Sequence, residues 1–125
     1  MTMEPIYNLP KIQFVGGETQ ELCFRLKSPS GRYYTAEGMT VNYAVRKYGK
    51  IDEPPVINKT AEITLEANTM HSVIEIRLDS NDTLALDGRY VYQITVAGDN
   101  GIIEIPGRGI LEITRNINPD FLTGR

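Results

Sequence analysis

Apolar and polar positions alternate along most of this chain with a period of two. Residues 20–27 place Leu22, Phe24 and Leu26 on one face and Glu21, Cys23, Arg25 and Lys27 on the other. That pattern predicts a strand buried on one side only, as in an antiparallel sheet. It recurs over residues 39–46, with Met39, Val41, Tyr43 and Val45 inward. Over residues 57–65 the odd positions turn inward, Lys59 excepted, and over residues 73–78 Ile74, Ile76 and Leu78 do so. Residues 11–15 form a weaker first strand closed by Gly16-Gly17. Turn chemistry separates these runs: Ser28-Pro29-Ser30-Gly31, Glu37-Gly38, residues 66–69 and Gly98-Asp99-Asn100-Gly101, the last with the Asn-Gly pair of tight hairpins. Pro54-Pro55 make residues 48–55 a loop, because proline removes a ladder donor.

The second half of the chain is organised around residues 79–96. A polar turn leads to one helical turn at residues 83–86, then Asp87-Gly88-Arg89-Tyr90-Val91-Tyr92 opens a strand with Tyr90, Tyr92, Ile94 and Val96 on one face. This stretch resembles the E–F corner of an immunoglobulin-like sandwich, where a tyrosine ties the corner to the backbone. Gly88, Tyr90 and Tyr92 are therefore expected to be structural residues. In antibody domains the position two beyond the corner tyrosine is a cysteine bridged across the core and packed on a tryptophan. Here it is Tyr92, the chain has no tryptophan, and Cys23 lies on the face opposite Leu22 and Phe24. Packing of Tyr92, Tyr43, Phe24 and Leu22 is expected to replace the bridge, with Gly107 and Gly109 opposite. Residues 102–114 read as one long strand with a kink or bulge pair, its odd positions inward throughout.

The expected fold is thus all-β, an immunoglobulin-like antiparallel β-sandwich of seven or eight strands without a disulfide. An N-terminal arm (1–10) precedes the sandwich (11–115), and a C-terminal tail (116–125) follows with little to fold against.

Composition adds bounds. At 125 residues the chain suits one domain, which buries roughly two-thirds of its unfolded surface. A net charge of −3 with scattered basic residues argues against nucleic acid or an anionic membrane as partner. No apolar run approaches the roughly 20 residues that span a bilayer, and the first residues carry no secretory pattern, so synthesis in the cytoplasm is expected. One cysteine excludes an internal disulfide.

Residues that could carry chemistry are few. His71 is the one histidine, at a strand start with no nucleophile motif around it, and reads as a surface residue. Cys23 reads as a bland, partly covered thiol. One cysteine and one histidine cannot build a structural zinc site. Asp79, Asn81, Asp82 and Asp87 suggest calcium but lack the EF-hand spacing, and the competing reading is that Asn81 or Asp82 caps the helical turn. No catalytic, metal or cofactor-binding residue is assigned, and the chain is not expected to be an enzyme. Tyr7, Tyr33, Tyr34 and Tyr48 remain as contact aromatics, with Tyr33-Tyr34 the best pair.

Several short motifs occur together: Gly17-Glu18-Thr19 before an apolar strand, Ser28-Pro29-Ser30-Gly31-Arg32, Gly38-Met39-Thr40-Val41, and Gly88-Arg89-Tyr90 opening the penultimate strand. This set resembles the Ig-like N-terminal domain of phage baseplate upper proteins, over most of residues 12–114. The resemblance implies a non-enzymatic virion part of a tail or baseplate, docking to other tail or baseplate proteins and working as a homo-oligomer. Such a protein is assembled in the host bacterial cytoplasm and resides in the virion, without nucleic acid, membrane or cofactor. The family's receptor-binding activity lies outside such a domain, so it transfers no binding residue. A glycan- or cell-surface-binding sandwich, motivated by Tyr33-Tyr34 and the polar loops, is the alternative.

Overall fold

The computed structural model describes residues 9–26, 39–66, 71–98 and 101–122. The expectations for residues 1–8, for the turns at Ser28-Pro29-Ser30-Gly31 and Glu37-Gly38, and for Asn100 lie outside these residues. The elements are β1 (Ile12–Val15), β2 (Gln20–Leu26), β3 (Met39–Lys47), β4 (Ile57–Glu66), β5 (His71–Leu78), α1 (Ser80–Thr83), β6 (Gly88–Gly98), β7 (Ile103–Thr114) and α2 (Pro119–Leu122). The seven strands among the described residues follow the order β1-β7-β6-β3-β4-β5-β2.

The order curls because β4 serves two sheets. Its first part pairs with β3, from Val45↔Ile57 to Val41↔Ala61, and its second part pairs with β5, from Glu62↔Glu75 to Glu66↔His71. A strand that changes partner midway turns one ribbon into a curled sheet and a second sheet, with the inward side chains between them. All pairings are antiparallel except β1 with β7, which is parallel from Ile12↔Leu111 to Val15↔Thr114. The wholly antiparallel expectation is corrected there. Paired residues stand 99 positions apart in the chain (Ile12 and Leu111), so no tight turn dictates the relative direction of the two strands.

The core is what the alternation selects. Leu22, Phe24, Val41, Tyr43, Val45, Ile74, Ile76, Leu78, Tyr92, Ile94, Leu111 and Ile113 are buried in one cluster. At its centre Phe24, Tyr43 and Tyr92 stack in a triangle, with ring centroids 5.5–6.4 Å apart. Such offset aromatic contacts add about 0.5–1.5 kcal/mol per pair beyond their burial. Tyr92 lies opposite Gly109 in the ladder, and a Cβ there would overlap its ring. The glycine is thus space for the tyrosine.

Gly107 serves another residue, because Leu9 occupies the place its Cβ would take. The Leu9 N–H donates to the Arg108 carbonyl at 2.9 Å, and the Tyr92 hydroxyl donates to the Pro10 carbonyl at 2.6 Å. Leu9 and Pro10 are therefore fixed to the sheet.

Inward parity does not survive the length of β7. The register shifts between Ile94↔Gly107 and Val96↔Glu104, so β7 carries one extra residue there. A bulge exchanges the faces of everything beyond it. Glu104, not Ile103, lies opposite the buried Val96, and Ile103 and Ile105 are 66% and 46% exposed.

The helical turn also differs in place. It spans Ser80–Thr83, three residues earlier than the pattern suggests, with extended Asp79 as N-cap. The Asp82 carboxylate at N3 reaches back to accept the Asp79 N–H at 2.6 Å, which satisfies a donor at the helix start. The tail finds a seat as well. The Asn116 side chain donates to the Gly16 carbonyl at 2.8 Å, and Leu122 of α2 lies against Gly17.

Candidate functional site

At the corner the chain turns from α1 into β6 at Gly88, whose φ of +109° few other residues adopt without strain. The Tyr90 hydroxyl accepts the Asp87 N–H at 3.1 Å and donates to the Asp87 carbonyl at 3.2 Å. Lys47 Nζ donates to the same carbonyl at 2.8 Å and sits 4.6 Å from the centre of the Tyr90 ring. Tyr92, two residues on, is core, and burial pushes its phenol up to about 12. Tyr43 beside it is buried with no hydrogen-bond partner for its hydroxyl, and burial raises its pKa. Gly88, Tyr90 and Tyr92 come together as one supporting structure. Of the three, Tyr92 also lines a groove of about 260 Å³ together with Ala44, Arg46, Ile51, Gln93 and Arg108.

Behind this corner, three segments meet at Gly16-Gly17. Thr83 is fully buried, and its Oγ accepts the Gly17 N–H at 2.9 Å. A Cβ at Gly16 would press on the Thr83 carbonyl at 2.7 Å. Helix α1 and the turn after β1 can approach this closely only because the turn is glycine. The buried Thr83 was not singled out by the sequence pattern, since it sits among polar residues with no periodicity of its own.

Where β4 leaves β5 a groove of about 670 Å³ opens, lined by Glu21, Cys23, Lys59, Thr60, Glu75 and Arg77 among others. Lys59 stands at an inward position of β4 and spans the gap. Its ammonium donates to the Arg77 carbonyl at 3.0 Å and pairs with Asp82 at 2.5 Å. It thus supplies the donor that a departing strand no longer offers, and ties α1 to both sheets. Its break in the apolar series was the visible signal. Arg77 Nε holds Asp79 at 2.9 Å, and this hydrogen bond keeps the Asp79 carboxyl below its ordinary range. Asp79 and Asp82 are therefore committed to cations of the chain itself, and among the described residues no group of three or more His, Cys, Asp or Glu could hold a metal ion. Cys23 is exposed on the outer face of β2, across from Glu75.

A second charged cluster staples β7 to both neighbours. Glu112 accepts from Arg89 on β6 at 2.9 Å, from Gln13 on β1 at 2.7 Å and from Lys11 at 3.1 Å. Led by the Arg89 hydrogen bonds, these partners lower its carboxyl to about 2.

What remains is apolar surface. Ile102, Ile103 and Ile105 are exposed at one end of β7. At the opposite end Ile117 is 98% and Phe121 77% exposed. Beside the latter pair runs a groove of about 490 Å³, lined by Leu84, Leu86, Asp87, Arg115, Asn116 and Pro119. Only Ile102 lay on the face opposite the expected inward one; Ile117 and Phe121 follow the last strand, and Ile103 and Ile105 were expected to face inward. Tyr33 and Tyr34 lie outside the described residues, while Tyr48 is 47% exposed with Arg89 over its ring. No described helix is long and apolar enough to cross a membrane. Comparison of the chain with protein-family models and with curated proteins finds no match.

Proposed function

We propose that this chain is a non-enzymatic interaction module with an immunoglobulin-like sandwich, a part of a bacteriophage tail or baseplate that docks to neighbouring virion proteins and self-associates. The observation that carries the reading is the exposure of large apolar side chains on well-anchored backbone. Ile117 and Phe121 project from a segment fixed by Asn116 and Leu122. Exposed apolar groups held in place, rather than on loose chain, are the usual mark of a docking surface, because little conformational entropy is lost when they are covered. The immunoglobulin-like assignment draws on the Tyr90–Asp87 corner and on the sharing of β4 between sheets. The phage assignment draws on the short motifs around Gly17, Gly38 and Gly88, and the virion as its location follows from that resemblance.

Expression beside tail and baseplate proteins encoded near its own gene tests the module reading. Co-purification with at least one of them, in fixed stoichiometry, is expected. Failure to associate with any of them would remove the phage assignment.

A further inference from the structure

We infer that the groove beside Arg46, on the outer face of β3 and β6, is a carboxylate-binding site that takes one acidic side chain of a docking partner. This deepens the reading above and rests on it for the kind of partner.

The guanidinium is fixed in advance. Arg46 donates from Nη1 to the Ile51 carbonyl at 3.2 Å and, from the same nitrogen, to the Glu53 carbonyl. The loop it holds is also closed by its own backbone, with the Lys50 N–H on the Lys47 carbonyl at 3.0 Å and the Glu53 N–H on the Lys50 carbonyl at 3.1 Å. These bonds use Nη1 alone. Nε and Nη2 have no partner among the described residues, and they form the edge of the fork that grips a carboxylate by two parallel N–H···O bonds.

Its charge is also uncompensated. Backbone carbonyls carry no net charge, and no ion pair among the described residues includes Arg46. Asp52 and Glu53 nearby in the chain are exposed, and Glu53 offers Arg46 only its backbone. The result is a half-buried cation without a counter-charge on a chain of net charge −3. Desolvating a cation is costly unless an anion meets it with good geometry, and an incoming carboxylate supplies that anion.

The walls fit a side chain. The register pairs Ala44 with Gln93 and Arg46 with Val91, and Ala44, Ile51 and Val91 give the groove apolar surface. Arg108 in the same wall has an interaction of its own, so the site is read from Arg46 alone. At about 260 Å³ the groove is smaller than the roughly 300–1,000 Å³ of small-molecule sites. A glutamate suits it, with its methylenes on the apolar walls and its carboxylate on Nε and Nη2.

Nitrogen-15 NMR of the full chain, titrated with N-acetylglutamate N-methylamide, tests this. The Arg46 Nε–H and the backbone amides of Ala44 and Val91 should shift and saturate, with half-saturation at roughly millimolar probe. The glutamine counterpart and inorganic phosphate should each bind at least about tenfold more weakly. Arg46→Lys keeps the charge and loses the fork, and should weaken binding by at least about tenfold. Because that change also releases the loop, Ala44→Leu gives a second arm. It fills the groove, leaves the bonds of Arg46 to both carbonyls in place, and should weaken binding equally with the unfolding midpoint unchanged. No saturating shift with the glutamate probe, equal or tighter binding of the glutamine probe or of phosphate, or full binding by either variant would each overturn the inference. The probe is a small molecule and co-purification with tail proteins is measured separately, so failure of this site and failure of the module reading are told apart.

Discussion

The two halves of β7 are both rich in apolar residues and meet opposite fates. From Gly107 to Thr114 the strand has β6 on one side and β1 with Leu9 on the other, and Leu111 and Ile113 are buried. From Ile103 to Pro106 only β6 accompanies it among the described residues, and its isoleucines face out. The extra residue between them is the cause, since it exchanges inward and outward positions. Hydrogen bonding changes parity as well. Arg108 and Thr114 use their carbonyls toward Leu9 and Gly16, so even residues of the upper half face β1; below the bulge the Ile102 carbonyl accepts the Gly98 N–H, so even residues there face β6. Apolar composition alone therefore does not say which residues form the core. The neighbouring strand and the register decide it.

The largest way to break the contrast is at the centre of the upper half. Tyr92→Ala should cost about 3–5 kcal/mol in urea unfolding, by emptying the ring triangle and releasing the Pro10 carbonyl. Gly109→Ala approaches the same site from the other strand. Its methyl would meet the Tyr92 ring, and a loss of about 1–3 kcal/mol by the same measurement is expected for this overpacking.

Acid titration sharpens the comparison at the next level. Glu112 belongs to the upper half, and its partners depress its folded pKa below the unfolded value. Its contribution is thus complete above the ordinary glutamate range and fades as pH falls from about 5 toward 2. Unfolding midpoints measured across that window should fall less steeply for Glu112→Gln than for the unchanged chain. The smallest effect belongs to the lower half. Ile103→Ser should change stability by no more than about 0.5 kcal/mol in the same assay, because the side chain it replaces is exposed.

These elements also mark what could be read from the amino-acid order. Alternation was enough for β2 through β6, and Tyr92, Tyr43, Phe24 and Leu22 do meet in the core as their positions imply. The space that Gly109 leaves for Tyr92 was legible for the same reason. A kink or bulge pair was expected in β7 and one extra residue is there, but its exchange of inward and outward faces was not legible, because it shows itself only through the partner strand. Likewise the parallel pairing of β1, the seat of Asn116 on Gly16 and the bridge from Lys59 to Asp82 are long-range choices. They depend on where distant segments arrive, and local pattern carries only hints such as the misplaced lysine. The exposed ring of Phe121 was hidden for a related reason: a tail outside the strands has no period to read.

Amide hydrogen exchange, resolved by residue, tests the division of β7 most directly. Leu111 has its N–H directed into the ladder with Tyr90 and lies between two neighbouring strands, so it should exchange only when the domain unfolds. Ile103, below the bulge, has β6 alone beside it among the described residues, directs its N–H away from β6 and should exchange orders of magnitude faster. Equal protection at Ile103 and Leu111 would contradict the account, because it would mean that the lower half is closed as tightly as the upper.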